Sequence, residues 1–486
     1  MALRPKLTNR DIFLKEYSEA LADDTAAIFV GAGVSMAAGY PSWKALLRDI
    51  GQELGVDSGD VSDLAALAQW HIRQSAGATR IRQVLREEIG VEKPIPPTVE
   101  IIARLPIRHI WTTNYDRLIE RAFSGIGRPL DVISAASDIA LKPRAGAVRL
   151  YKMHGSVDRL DDVVISTDDY ELFRSRRGAF LPLLHAHLAS LSLLFVGLSL
   201  TDPNVRHVLS SIRENFSEAP PEHFAIVRPP HQNDFDSKEQ FEARLTQHKL
   251  WADDLQRYGL RVVEIDRYDE VPELLTELER RVAKRRVWVS GSWPVGEEGA
   301  TRAEFIHEVA QGIGAALGTA GYTLVSGAGL LVGSAALSGF LSSLQKTGSW
   351  DLERRLIARP FPQALRDQEP NAAQWQLLRT ELGRLSGIAV FIGGMKVHAD
   401  GALVPANGVL AEFDIARASG SFVLPIGATG GAASLIAERL LSMPASHRVE
   451  IACPTVAQLR RLSNEKLSAS ELVATAMEIV LKHARL

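Results

Sequence analysis

The chain is short of cysteine, of net charge and of long apolar runs, and each shortage closes off a class of protein. One cysteine, Cys453, stands in 486 residues, so neither an intrachain disulfide nor a zinc site of four thiolates can be built from it. Net charge is only −3. The small basic clusters, Arg174-Ser175-Arg176-Arg177 and Lys284-Arg285-Arg286, are too short to track a phosphate backbone, so nucleic acid is not expected as a partner. No stretch approaches the run of about 20 apolar residues that spans a membrane, and the first ten residues lack the apolar core of a secretory signal. No membrane association is expected, and the chain reads as cytoplasmic.

What is present is an ordinary globular composition, 46% hydrophobic and 23% charged, over a length that favours two hydrophobic cores. Apolar strand-like runs alternate with helical stretches, which implies α/β architecture with largely parallel sheets. The candidate strands before residue 280 cover 25–30, 107–113, 148–153, 193–196, 223–227 and 260–265. Those after it cover 286–290, 322–326, 387–392 and 421–426. The stretch 275–286 ends the first group with a helix, and the boundary is set between residues 284 and 285: a domain 1–284 and a domain 285–486, both Rossmann-like.

In the first domain, Gly31-Ala32-Gly33-Val34-Ser35 follows an apolar run and opens a helix. Small residues here let a phosphate approach the amide groups of the turn, although a glycine turn of this kind serves equally as punctuation and does not have the full dinucleotide spacing. Three further strand ends turn polar: Thr112-Thr113-Asn114-Tyr115-Asp116, His154-Gly155-Ser156 and Gly197-Leu198-Ser199. In an open parallel sheet such ends converge on one crevice. Asn114 fits this crevice and fits equally a cap on a helix starting at about Tyr115. His154 fits a ligand site and a core histidine alike.

The order and spacing of these motifs over residues 20–275 resemble the sirtuin fold. That resemblance implies NAD as ligand, with Gly31, Ala32, Gly33 and Ser35 lining its phosphates, Asn114 and Asp116 near the nicotinamide and its ribose, His154 as general base, Gly197 and Ser199 near the far half of the nucleotide, and Asp266 by the adenine. Sirtuin deacylases also resemble one another in a four-cysteine zinc ribbon, which this chain cannot form. After the glycine loop they carry an acidic-aromatic-arginine segment, where this chain has Gly39-Tyr40-Pro41-Ser42-Trp43-Lys44. The missing ribbon disfavours acyl transfer from a peptide while leaving cleavage of NAD intact. That cleavage needs an oriented ribose, a bound leaving amide and an activated water. An imidazole, with its ordinary pKa of about 6.5, can accept the proton. No metal is called for.

In the second domain Ser290-Gly291-Ser292, the segment from Ser326 through Gly327 and Gly329 to Gly333, and Gly393-Gly394 each follow a strand-like run. Singly they read as turns and together as a phosphate crevice. Glu412 is expected early on a helix, as a ribose ligand or as a dipole-stabilising carboxylate. Residues 285–480 resemble the SLOG family of nucleotide-sensing domains. A sirtuin-like domain joined to one resembles the NADase effectors of Thoeris anti-phage defence. This implies an NAD+ glycohydrolase with NAD+ as substrate and no cofactor, activated by a cyclic ADP-ribose isomer that a TIR-domain protein makes. It also implies a homo-oligomer, tetramer or higher, assembled through the sirtuin-like domains. Arg379 and Lys396 are placed on the activator's pyrophosphate, Glu412 on a ribose, and Ser290, Gly291, Ser292, Gly327, Gly329 and Gly333 around it. Two other functions stand beside this one: a sirtuin-like deacylase or ADP-ribosyltransferase, and a non-catalytic nucleotide-binding scaffold.

Overall fold

The computed structural model describes residues 8–59, 61–198, 203–215, 222–295, 300–348, 351–362, 371–398 and 400–484. They fall into two compact units, Met1–Glu279 and Arg280–Leu486. The division lies inside the helix Glu270–Ala283, ahead of the 284/285 boundary read from the sequence. The helix is shared because Glu279 pairs with Arg104 of the first unit, while the carbonyl of Ala283 already accepts from Gly387 of the second.

The first unit is built on seven strands: β1 (Ala26–Val30), β2 (His109–Thr112), β3 (Leu130–Ile133), β4 (Val148–Lys152), β5 (Ser192–Val196), β6 (His223–Val227) and β7 (Leu260–Glu264). They pair in the order β3-β4-β2-β1-β5-β6-β7, and every pairing is parallel. All five residues of β1 are buried, as an apolar strand at the centre of a sheet covered on both faces must be. The aromatic rings of Phe29, Trp111, Tyr151 and Phe195 form the middle of one core layer. The chain leaves β1 toward β2 on one side and leaves β5 toward β6 on the other, so the sheet's topological switch lies at the carboxyl ends of β1 and β5. The edge strand β3, short and largely uncovered, escaped the sequence reading.

The second unit has β8 (Arg286–Ser292), β9 (Thr323–Ser326), β10 (Leu356–Ala358), β11 (Ile388–Gly393), an antiparallel hairpin of β12 (Met395–Val397) and β13 (Leu403–Pro405), and β14 (Phe422–Ile426). The main sheet is parallel in the order β10-β9-β8-β11-β14, and its switch lies between β8 and β11. Two long helices, Ala300–Thr319 and Val332–Thr347, pack closely through small residues. A Cβ on Gly314 would overlap the carbonyl of Ala336, and one on Gly339 would overlap that of Gln311. No helix among the described residues is long and apolar enough to cross a membrane.

Candidate active site

The crevice at the switch of the first unit begins with glycine packing on glycine. Gly31 N–H donates to the carbonyl of Val196 at 2.8 Å and Gly33 N–H to that of Gly197 at 2.9 Å. A Cβ on Gly31 would overlap the Gly197 oxygen, and Gly197 itself has φ +66°, a conformation that favours glycine. The idea that these glycines free their own amides for a phosphate is thereby corrected. Both N–H groups are spent on the end of β5 and the turn after it, and glycine is required for the close approach of two turns. Ala32 and Gly33 are nonetheless exposed at the start of the short helix Ala32–Ala37.

Ser35 of that helix meets the end of β2. Its hydroxyl donates to Asp116 Oδ2 at 2.5 Å and accepts from Asn114 Nδ2 at 2.8 Å. The other Nδ2 proton goes to the Gly31 carbonyl at 2.9 Å. Both donors of Asn114 are therefore fixed, and the buried Oδ1 is left with no protein partner among the described residues. Asn114 is not a helix cap. The helix runs Leu118–Gly125, and it is Asp116 Oδ1 that accepts the Leu118 N–H at 2.9 Å. The carboxylate of Asp116, buried and engaged on both oxygens, serves to hold Ser35 and to start that helix.

The second polar strand end lies alongside. Thr112 is paired with Lys152 in the β2–β4 register, so Asn114 and His154 each stand two residues past the last rung of neighbouring strands, whose spacing is about 4.8 Å. His154 is buried at 4% exposure, with its ring edge-on to Tyr170 at 5.5 Å and to Phe173 at 6.3 Å. Trp43, from the segment that replaces the sirtuin acidic-aromatic-arginine sequence, lies against Tyr170 at 6.5 Å.

Tyr115, quoted in the sequence only as the middle of a triplet, joins the two loops. Its carbonyl accepts from Val157 N–H at 2.9 Å, and its hydroxyl donates to the Val164 carbonyl at 2.7 Å. Val164 in turn donates its N–H to the His154 carbonyl at 3.0 Å. Two buried cations have no site role in the sequence reading, where Lys152 is part of a strand-like run and Arg177 of a short basic cluster. Lys152 lines the crevice with Ser35, Asn114, Asp116 and Glu120, and Arg177 lies beneath Gly155. Burial lowers the Arg177 pKa against the opposing pull of Asp162.

Of the other residues singled out, Asp266 stands exposed past the end of the far strand β7, its amide bonded to Glu270 Oε1. It lies three strands from β1, about 14 Å along the sheet. Ser199 lies outside the described residues.

In the second unit the glycine turns meet as they do in the first. A Cβ on Gly291 would overlap the Ile392 carbonyl, one on Gly329 would overlap that of Gly291, and one on Gly327 would overlap the ring of Phe361; one on Gly333 would lie 2.6 Å from the carbonyl carbon of Ala328. Ala328 and Leu331 have φ of +52° and +58°, a costly conformation for residues with side chains, of the kind that clusters at ligand-holding loops. Ser292 Oγ donates to the Met395 carbonyl at 3.1 Å. Ser290 Oγ donates to Glu412 Oε2 at 2.5 Å, and Arg379 Nε faces Glu412 Oε1 at 3.4 Å. The guanidinium of Arg379 lies over Phe361 and Trp375 at 5.3 and 5.5 Å. Burial pushes the Glu412 carboxyl up, with Ser290 and Arg379 pulling it down.

Glu412 is not early on its helix. The helix is Asn407–Ala418, and Glu412 sits in its second turn, beyond the reach of a first-turn dipole effect. Its two oxygens are already engaged by Ser290 and Arg379. Lys396 lies exposed on β12, with no ion pair to Glu412 among the described residues.

Two family models match the chain, one after the other. A model described as SIR2-like domain matches residues 108–251, and one described as Sir2- and TIR-associating SLOG family matches residues 270–483. Among curated proteins, the chain is 33% identical to NAD(+) hydrolase ThsA of Bacillus cereus (strain MSX-D12) over 97% of its own length and 98% of the relative's. It is 35% identical to the protein of the same name from Cytobacillus dafuensis, over 87% of this chain and 86% of that one. Defense-associated sirtuin 2 of Bacillus subtilis is 30% identical over 41% of this chain and 20% of its own.

Proposed function

The chain belongs to the family of NAD(+) hydrolases named ThsA, and from that membership we propose that it cleaves NAD to nicotinamide and ADP-ribose in anti-phage defence, under control of a nucleotide bound by its C-terminal unit. The observation that carries the catalytic half is the locked amide of Asn114. With Nδ2 held by Gly31 and Ser35, Oδ1 is an acceptor only, buried at the end of a central strand. It suits a ribose hydroxyl or the attacking water, both of which donate.

In the reaction the bond between the nicotinamide nitrogen and the ribose anomeric carbon breaks first, leaving an oxocarbenium-like sugar. Water then adds at that carbon and gives up a proton. His154 takes this proton, and Asn114 orients the hydroxyl group or the water. The ring nitrogen takes the bonding pair and nicotinamide leaves as a neutral pyridine, so water, NAD and these side chains complete the balance. This reading assigns the exposed Ala32–Gly33 turn and the Gly197 turn to the dinucleotide phosphates, and Asp266 to the adenine.

The second half of the proposal assigns the β8–β9–β11 crevice to a cyclic ADP-ribose isomer supplied by a TIR-domain protein. The ligand raises activity to the extent that it binds the active arrangement more tightly than the resting one. Arg379 and Lys396 offer cations to its pyrophosphate, and Glu412 offers a carboxylate that already holds Ser290. In this reading the active assembly is a homo-oligomer.

Nicotinamide release by the purified chain, beside Asn114→Ala and His154→Ala, tests the catalytic half. The expected result is release that falls by roughly a hundredfold or more in both variants. Acyl or ADP-ribosyl transfer to a peptide in place of free ADP-ribose would overturn it.

A further inference from the structure

Two buried cations are unaccounted for by the chemistry just described. We infer that Lys152 and Arg177 are positioning residues, one for the loop that carries Asn114 and one for the loop that carries His154, an inference that rests on the hydrolase reading above.

Lys152 ends β4 and is 1% exposed. Its ammonium has three protons to place, and all three have acceptors: the Asp116 carbonyl, the Tyr115 carbonyl at 3.3 Å and Glu120 Oε1 at 2.7 Å. The two carbonyls belong to the residues immediately after Asn114. Arg177 is 2% exposed. Its Nη1 donates to the Ser134 carbonyl at 2.8 Å and to the Met153 carbonyl at 3.1 Å. Its Nη2 donates to the Asp162 carbonyl and pairs with Asp162 Oδ2 at 2.7 Å. The Met153 carbonyl immediately precedes His154. The Asp162 carbonyl is the atom that a Cβ on Gly155 would meet at 2.5 Å, so Arg177 bonds the loop directly at Met153, just before His154, and just after it holds the Asp162 backbone against which Gly155 packs.

Space alone does not explain either side chain. Apolar residues of similar volume fill buried sites as well as ion pairs do, often with a gain in stability. A cation contributes direction instead: it draws chosen carbonyl oxygens to fixed points and so sets where the next side chain leaves the backbone. Each cation is also neutralised, Lys152 by Glu120 and Arg177 by Asp162. Neutrality matters here because positive charge develops on the ribose during cleavage, and an uncompensated ammonium lining the same crevice would oppose it.

The test measures kcat and KM for NAD on the full-length chain, with cyclic ADP-ribose isomers added, for Lys152→Met, Arg177→Met, Arg177→Lys, Glu120→Gln and Asp162→Asn, with a thermal melt of each. For the two methionine variants the expected result is a kcat about tenfold or more below wild type, with KM within about threefold. Arg177→Lys, which keeps the charge but not the planar fork, recovers only a fraction of the loss. Glu120→Gln, which leaves the Lys152 charge bare, lowers kcat several-fold with KM unchanged. Should either methionine variant fail to fold, Glu120→Gln and Asp162→Asn carry the test, because both partners are partly exposed. Wild-type kcat in folded variants overturns the inference, as does a loss of activity that follows the fall in melting temperature across the series. An inactive wild type would count against the hydrolase reading itself, which separates the two failures.

Discussion

Asn114 matters for what its amide is prevented from doing. With both Nδ2 protons committed it cannot turn to present a donor, and Ser35 is the residue that commits one of them. Ser35→Ala should therefore lower kcat roughly tenfold. It should also destabilise the first unit by about 1–3 kcal/mol, since it leaves the buried Asp116 Oδ2 and one Asn114 proton without their partner; steady-state kinetics and a thermal melt check both. Asn114 and His154 were singled out in the sequence by the order of four polar strand ends, since each alone fitted a helix cap or a core histidine as well. Lys152 and Arg177 were not, because a buried cation looks like any surface lysine or arginine until its acceptors, many of them backbone carbonyls, are in view.

A second consequence at this scale concerns two histidines at the other end of β2 from the crevice. Burial, with Arg149 and Arg108 adding to it, holds His109 down to about 4. Burial, with His109 and Arg149, holds His187 down to about 3. Their rings lie 4.3 Å apart, and Trp111 Nε1 donates to His187 Nδ1 at 3.0 Å. A folded pKa below the unfolded one means that the unfolded chain binds protons first on acidification. The stability these residues supply is complete above about pH 6.5 and drains away as the pH falls toward 4 and then 3, a loss on the order of 3 kcal/mol or more. His187→Phe should flatten the acid limb of a plot of melting temperature against pH. An unchanged limb would mean that other groups govern it.

Among elements, the long apolar runs announced themselves. β1, β5 and β11 are apolar through nearly their whole length, and small residues follow each. β3 and β10 are short edge strands with exposed positions, and β12 and β13 are three-residue rungs of a hairpin. Such pieces are held by tertiary context and leave little periodic signal. The glycines divide in the same way. Those at Gly31 and Gly291 were read as phosphate loops, and the structure shows that each first satisfies a backbone approach. Gly314 and Gly339 went unremarked because a glycine inside a helix resembles a weak position until the facing helix is seen. Gly339→Val should cost the second unit about 1–3 kcal/mol or more through the clash with the Gln311 backbone. Differential scanning calorimetry should show that loss in one of the two units and leave the other transition in place.

At the scale of the whole molecule, two parallel sheets of similar logic each bring glycine turns together at their topological switch. The arrangement makes sense if one crevice reacts and the other reports. The family and the two-domain plan were readable from motif order, whereas the Ser290–Glu412–Arg379 network was readable only in part. Arg379 and Glu412 were singled out, but their mutual engagement, and the stacking of Arg379 on Phe361 and Trp375, depend on residues brought together from distant segments. An activator that binds Arg379 or Glu412 must compete with that existing pair, and the competition is a natural point at which binding could alter the unit.

The central claim is that the two crevices are coupled, and the most direct measurement is the rate of nicotinamide release from NAD as a function of cyclic ADP-ribose isomer concentration, for wild type, Arg379→Ala and Glu412→Ala. The account predicts that wild type needs an isomer for activity. It also predicts that both variants need at least about tenfold more isomer to reach half-maximal rate, while their NAD affinity at the first crevice is unchanged. Isomer-independent release, or identical dose curves for all three proteins, would contradict it.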